Sequence, residues 1–169
     1  MKTNETLVNI VRFVVLVLVQ VLILNQVNFL GYINPYLYPL FILVFPLTGS
    51  KNSLIFLSFI LGLTIDMFGD SGGIHAAASV FIAWIRPVVL KYSFGVSYQL
   101  NTLKISTAPL SKQIVYIISM VLFHHLVLFS MEIFNVNQIL LVLKSTLFSG
   151  IFSVILMVCS ILLFSRKSA

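Results

Sequence analysis

Charge is what this sequence has least of. Only 8% of its 169 residues are charged, against roughly a quarter in soluble domains, while 60% are hydrophobic and the mean hydropathy is +1.12. A chain this short has room for one modest core, and the rest of its apolar surface has no place in water. The bilayer is its natural solvent. Disorder is excluded by the abundance of Leu, Ile, Val and Phe. Cysteine is nearly as scarce: the single Cys159 lies inside an apolar run, so it forms no intramolecular disulfide and has no CxxC context for metal or redox chemistry. Also missing are a Walker loop, GxGxxG, HExxH, a Ser-His-Asp constellation and a paired-carboxylate cleft. Soluble nucleotide-binding enzymes, zinc modules and disulfide scaffolds are demoted together. The net charge of +6 comes from Lys and Arg scattered singly between hydrophobic runs, so no nucleic-acid partner is expected.

What the sequence does have is six apolar runs: residues 7–24, 36–47, 54–68, 74–90, 113–134 and 139–164. A membrane-crossing helix needs about 20 mostly apolar residues. The first run is followed by Asn25, Gln26, Val27 and Asn28 in place of a small-residue cleavage site, so it is expected to stay in the mature protein. The second run is short and punctuated by Pro35, Pro39 and Pro46, which makes a re-entrant segment its competitor. Basic residues decide the count, because they favour the cytoplasmic side. With six spans, Lys2, Arg12, Lys51, Arg86, Lys91, Lys104, Lys112, Arg166 and Lys167 all fall inside, and only Lys144 of the 10 basic residues lies toward the outside. The expectation is an all-α, polytopic bundle of six transmembrane helices forming one integral membrane domain over residues 1–169, with both termini cytoplasmic. The outer connections, residues 25–35, 69–73 and 135–138, are too short to hold an enzyme. The longest loop, residues 91–112, is cytoplasmic and polar, with Gly95 and Pro109 as breakers, and its basic residues suit an anionic leaflet.

Polar residues at membrane depth are costly, so each requires a reason. Ser58, Gly62 and Asp66 share one face of the third helix at i, i+4, i+8, with Asp70 continuing it. Asp66 either holds a partner or ligand, or receives a neighbouring hydrogen bond near a helix end. On the fourth helix His75, Ser79, Ala83 and Arg86 form a second stripe, and its small-residue start favours tight packing. Arg86 either snorkels to lipid phosphates or makes a structural ion pair, and Pro87 is expected to kink the helix or loosen its last turns. His124, His125 and Glu132 follow on the fifth run, with Glu132 on nearly the face of His125. Adjacent histidines point about 100° apart, so an interhelical hydrogen-bond network is preferred over a metal or proton site. Ser145, Ser149 and Ser153 make a small-residue ridge on the sixth run, suited to docking a helix inside the protein or from a partner. Arg12 and Gln20 interrupt the first run.

The segments QVLILNQVNFLGYINPYLYPLFILVFPL, GLTIDMFGDSGGIHAAASVFIAWIRPVVLK and HHLVLF resemble the MreD family, small multi-pass membrane proteins of the bacterial rod-shape system. The likeness covers most of the chain. It is most specific at the third-to-fourth helix junction, where the family pattern falls on Gly62, Asp66, Gly73 and Ala76, while Pro35 matches the family's proline at the start of the second span. The resemblance implies a non-enzymatic subunit of the cell-elongation machinery in the bacterial cytoplasmic membrane, without cofactor or catalytic residues. It implies MreC as direct partner, with MreB, RodA and an elongation-specific penicillin-binding protein in the wider complex and membrane lipids around it. It also implies a fold similar to the substrate-binding subunits of energy-coupling-factor vitamin transporters, which does not itself transfer vitamin binding. The competing function is therefore a small-molecule-binding subunit of a vitamin-type uptake transporter, whose pocket Asp66, His75, His125 and Glu132 would line. An intramembrane enzyme, such as an acyltransferase, ranks last because it needs converging acid and base groups.

Overall fold

The computed structural model describes residues 3–31, 33–99, 105 and 108–165. Lys2, Lys104, Arg166 and Lys167, expected on the cytoplasmic side, lie outside the described residues. The chain is all-helical: α1 (Thr3–Leu22), α2 (Leu40–Val44), α3 (Lys51–Gly69), α4 (Ile74–Phe94), α5 (Val96–Gln99), α6 (Leu110–Ile133) and α7 (Ile139–Ser165). Five stretches, Thr6–Gln26, Lys51–Gly69, Ile74–Phe94, Leu110–Ile133 and Val136–Leu163, are long and apolar enough to cross a membrane. They pack in the order α1, α3, α4, α6, α7.

The second apolar run departs from the expected helix. Only Leu40–Val44 is helical there, and the chain on either side of it is irregular. Three prolines explain this, since Pro35, Pro39 and Pro46 remove amide donors and restrict the residues before them. The segment is nevertheless the most deeply buried part of the chain: Tyr38, Phe41, Ile42 and Leu43 are at most 1% exposed. It runs alongside α4. Tyr38 meets His75 in the first turn of α4, and the Phe45 carbonyl meets Arg86 eleven residues later, a rise of about 16 Å at 1.5 Å per residue. It also runs antiparallel to α1, because Gln20 near the end of α1 bonds Pro35 and Leu37 whereas Phe13, two turns earlier, stacks edge-on against Phe41. The passage thus leads from one end of the bundle to the other without a continuous helix, and α1 begins at the same end at which α7 finishes.

The loop expected over residues 91–112 is shorter than anticipated. α4 continues through Pro87 to Phe94, ends on Gly95 at φ 57°, and is followed at once by α5. Pro87 therefore neither breaks nor ends α4.

The α3–α4 hairpin is the tightest contact in the fold. Its turn is made by Asp70, Gly72 and Gly73, all at positive φ. Below the turn, a Cβ placed on Gly62 would lie 2.4 Å from the Ala76 Cα and 2.5 Å from the His75 carbonyl oxygen. Only hydrogen fits between these two backbones. Gly62→Ala is expected to pry the hairpin apart at a cost of about 1–3 kcal/mol, typical of overpacking, and to lower the melting temperature in detergent. An unchanged melting temperature would remove this contact from the list of constraints.

Candidate functional site

The polar residues of four helices converge on the buried irregular segment. α7 contributes its serine ridge. Ser149 Oγ accepts from the Asn34 amide at 3.0 Å, and Ser153 Oγ accepts from the Tyr36 amide at 2.8 Å. The ridge is thus occupied from within, by extended backbone and not by a helix, and Ser145 is buried above it. From α1, the fully buried Gln20 accepts from the Leu37 amide at 2.8 Å and donates to the Pro35 carbonyl at 3.3 Å. Gln20, which the sequence shows only as an interruption, is a principal brace of the passage.

Arg86 holds the other end of this segment. It is 4% exposed and neither snorkels nor pairs with a carboxylate among the described residues. Its Nη2 donates to the carbonyls of Leu43 at 3.2 Å and Phe45 at 2.6 Å, and its Nε donates to the Tyr116 hydroxyl, which in turn donates to Leu43. These carbonyls are available because the prolines keep α2 down to five residues.

Between the two braces lies a cluster of aromatic and imidazole rings. The Tyr38 hydroxyl sits 2.9 Å from His75 Nδ1 and 2.7 Å from His124 Nε2. His124 Nδ1 lies 3.4 Å from His125 Nδ1, which is 3.0 Å from the Val121 carbonyl, and His125 Nε2 is 3.1 Å from Ser153 Oγ. The acceptors order the protons of neutral rings. A carbonyl can only accept, so His125 carries its proton on Nδ1, and Ser153 donates to Nε2. His124 Nδ1, facing that proton, is the acceptor, which leaves Nε2–H to donate to Tyr38. Tyr38 then donates to His75 Nδ1. Histidine nitrogens in 15N-labelled protein are therefore expected to report the Nδ1–H tautomer at His125 and the Nε2–H tautomer at His124. The opposite pattern at either ring would break this proton order.

Asp66 has a different task from its neighbours. Its two carboxylate oxygens accept from the amides of His75 at 3.0 Å and Ala76 at 2.8 Å, and Oδ1 also accepts from the Ser71 hydroxyl. Those amides are the orphan donors at the start of α4, whose own N-cap, Gly73, has no side chain to offer. A residue of α3 thus caps α4, with its negative charge at the positive end of the helix dipole. Of the two readings of Asp66, the neighbouring hydrogen bond is the one found.

Several expected members lie elsewhere. Glu132 is exposed on the last turn of α6 and does not join the histidines. The turns between His125 and Glu132 carry the face past the packed neighbours. Asp70 does not continue the Asp66 stripe, because α3 ends at Gly69 and Asp70 is its exposed, left-handed C-cap. Ser58 is buried but bonds the Leu54 carbonyl of its own helix, and Ser79 is fully buried on α4. His124 and His125, although about 100° apart on α6, are both buried because the Tyr36 ring packs against both and the Tyr38 ring against His124. The aromatic character of the second run was the signal for these tyrosines, whose hydroxyls need partners when buried. The arrangement is a filled interior: the rings of Tyr36 and Tyr38 occupy the space among His75, His124 and His125. Among the described residues, no group of three or more His, Cys, Asp or Glu is placed to hold a metal ion.

Comparison of the chain with family models, curated proteins and solved structures returns no match. The likeness to vitamin-transporter subunits rests on the sequence resemblance alone.

Removing the Asp66 carboxylate exposes three donors at once. Asp66→Ala is expected to cost about 2–4 kcal/mol, given that single hydrogen bonds to charged groups contribute about 1.5–3 kcal/mol. Asp66→Asn, which keeps an acceptor, should lose less. Detergent melting curves in which the two variants match wild type would contradict the capping role.

Proposed function

We propose that this chain is a non-enzymatic, multi-pass scaffold of the bacterial cell-elongation complex, of the MreD kind. In this reading it lies in the cytoplasmic membrane, binds MreC, and belongs to an assembly with MreB, RodA and an elongation-specific penicillin-binding protein that directs lateral wall synthesis. One observation carries the reading: the polar side chains that a ligand pocket would need are spent on the chain's own backbone and tyrosines. The vitamin-uptake alternative loses ground for the same reason. It needs a cavity of about 300 Å³ or more at the Asp66, His75 and His125 level, and that is where Tyr36 and Tyr38 sit.

The irregular passage serves as a second crossing of the membrane, so the chain crosses six times, five of them helical. Backbone outside a helix is tolerated at membrane depth where protein surrounds it. Lys51, Lys91 and Lys112 lie at the end where α1 begins and α7 finishes, whereas Lys144 lies near the opposite end. This bias supports cytoplasmic termini. With the serine ridge occupied, the faces left for MreC are the apolar ones of α1 and α7. Val11, Val14, Leu18, Leu147, Ile151 and Ile155 are among the exposed side chains there. In their most apolar 18-residue stretches only 22% of each of these two spans is buried, against 56% for α4.

Affinity capture from solubilised membranes of the source bacterium tests the reading, with mass spectrometry of what stays bound. MreC and wall-synthesis enzymes are expected, and photo-crosslinkers at Val14 or Ile151 should trap MreC where one at Phe41 does not. Recovery of a paired ATPase with a coupling protein, and no MreC, would replace the scaffold by a transporter subunit.

A further inference from the structure

The end of the bundle that carries Lys51 holds a small cavity of about 80 Å³, walled by Gly49, Ser50, Lys51, Leu54, Arg86 and Tyr98. Two of these are cations. Arg86 is buried, and each of its acceptors named above is neutral: two carbonyls and a phenol. Of the four acidic residues, Asp66 and Asp70 sit at the other end of α3 and Glu132 is at that far end on the last turn of α6, while Glu5 lies in the first turn of α1 at the Lys51 end; no described residue of α1 lines the cavity. A buried charge without a counter-ion is expensive, and a second cation on the same cavity raises the cost unless an anion lies between them.

The cavity is furnished for that anion. Lys51 is the first residue of α3, and its ammonium lies 5.9 Å from the centroid of the exposed Trp84 ring, an aromatic position typical of the membrane interface. Arg86 lies eight residues before the end of α4, about 12 Å deeper than the helix end at 1.5 Å per residue. The antiparallel register that sets Gly62 against Ala76 nevertheless brings Lys51, at the start of α3, level with Arg86, so both cations stand on the same cavity. The cavity is small and its charged lining is cationic, which suits a single phosphodiester. Leu54 lines the same cavity, and apolar helix faces flank it, so the occupant that meets both surfaces carries acyl chains.

We propose that this cavity binds the phosphodiester of an anionic phospholipid, held by Lys51 and Arg86. A zwitterionic headgroup brings its own ammonium against two cations and is disfavoured. The site is independent of any protein partner, since it is built by this chain alone.

The purified full chain in detergent micelles, titrated with phosphatidylglycerol or phosphatidylcholine and read by native mass spectrometry, tests this. One phosphatidylglycerol per chain is expected to survive detergent stripping, and phosphatidylcholine is not. Arg86 also braces the passage, so the decisive variant is Lys51→Gln at an exposed position. It should weaken retention about fivefold, the effect of one Lys near an anionic surface, while Lys112→Gln, an exposed lysine at the same end but outside the cavity, leaves retention unchanged. Equal retention by wild type and Lys51→Gln, or equal retention of the two lipids, overturns the proposal. So does inorganic phosphate that raises the melting temperature as much as phosphatidylglycerol does, since the cavity would then be a free-anion site.

Discussion

The whole fold answers one constraint: residues 33–47 pass through the middle of an apolar bundle without forming a continuous helix. In lipid or in a dry core, each unpaired amide or carbonyl costs several kcal/mol, and a helix normally satisfies them all internally. Here the prolines forbid that solution over most of the segment, and side chains of other helices supply what is missing. Gln20, Ser149 and Ser153 serve the end near His75, while Arg86 and Tyr116 serve the end near Phe45. Gln20 and Arg86 lie on different helices, so the passage ties α1, α4, α6 and α7 to one another through its own backbone. Polar residues that appear functional because they are costly in a membrane are here the condition for an irregular passage through the bundle.

The α3–α4 hairpin transmits that constraint. Asp66 fixes the first turn of α4 by capping two of its amides, and Gly62 lets the two backbones close to contact. His75 stands in that same first turn, and its ring receives the Tyr38 hydroxyl. Helix capping and the ring cluster are therefore adjacent links of one structure. A shift of α3 along α4 would move His75 away from Tyr38 and open the histidine chain at its first member.

Much of this was legible in the residues, and the rest failed for definable reasons. The length of the apolar runs located the five long helices, and the stripes at Ser58, Gly62 and Asp66 and at Ser145, Ser149 and Ser153 do face protein. The re-entrant competitor for the second run was visible in Pro35, Pro39 and Pro46. What periodicity could not supply was the partner of each stripe, because it assumes that a helix meets a helix. The serines meet extended backbone instead, and His124 and His125 meet tyrosines from a segment whose side-chain directions follow no helical rule. Arg86 was misplaced for a related reason: its acceptors are the carbonyls of a helix that stops after five residues, and no acidic residue marks them in the sequence. Glu132 shows the limit of facing arguments near a helix end, where α6 has outrun its neighbours.

A core satisfied in this way has consequences for how such a protein can take part in an assembly. The polar groups that brace the passage are paired in a fixed order, and displacing any one of them strands a buried donor or acceptor. Opening the centre to admit a ligand or a partner's polar side chain is correspondingly costly. In the proposed scaffold, recognition within the bilayer would fall to the apolar outer faces of α1 and α7, where association depends on close van der Waals packing and not on exclusion of water. Packing of that kind reads shape, and shape is reliable only if the scaffold behind it is rigid. The braced passage supplies the rigidity: Tyr38 and Phe45, at the two levels of the bundle, belong to one buried segment that touches four of the five long helices. On the proposed reading, a partner that tilts α1 or α7 would act on the bundle as a body, and its position at one end would be carried to the other without rearrangement of the interior.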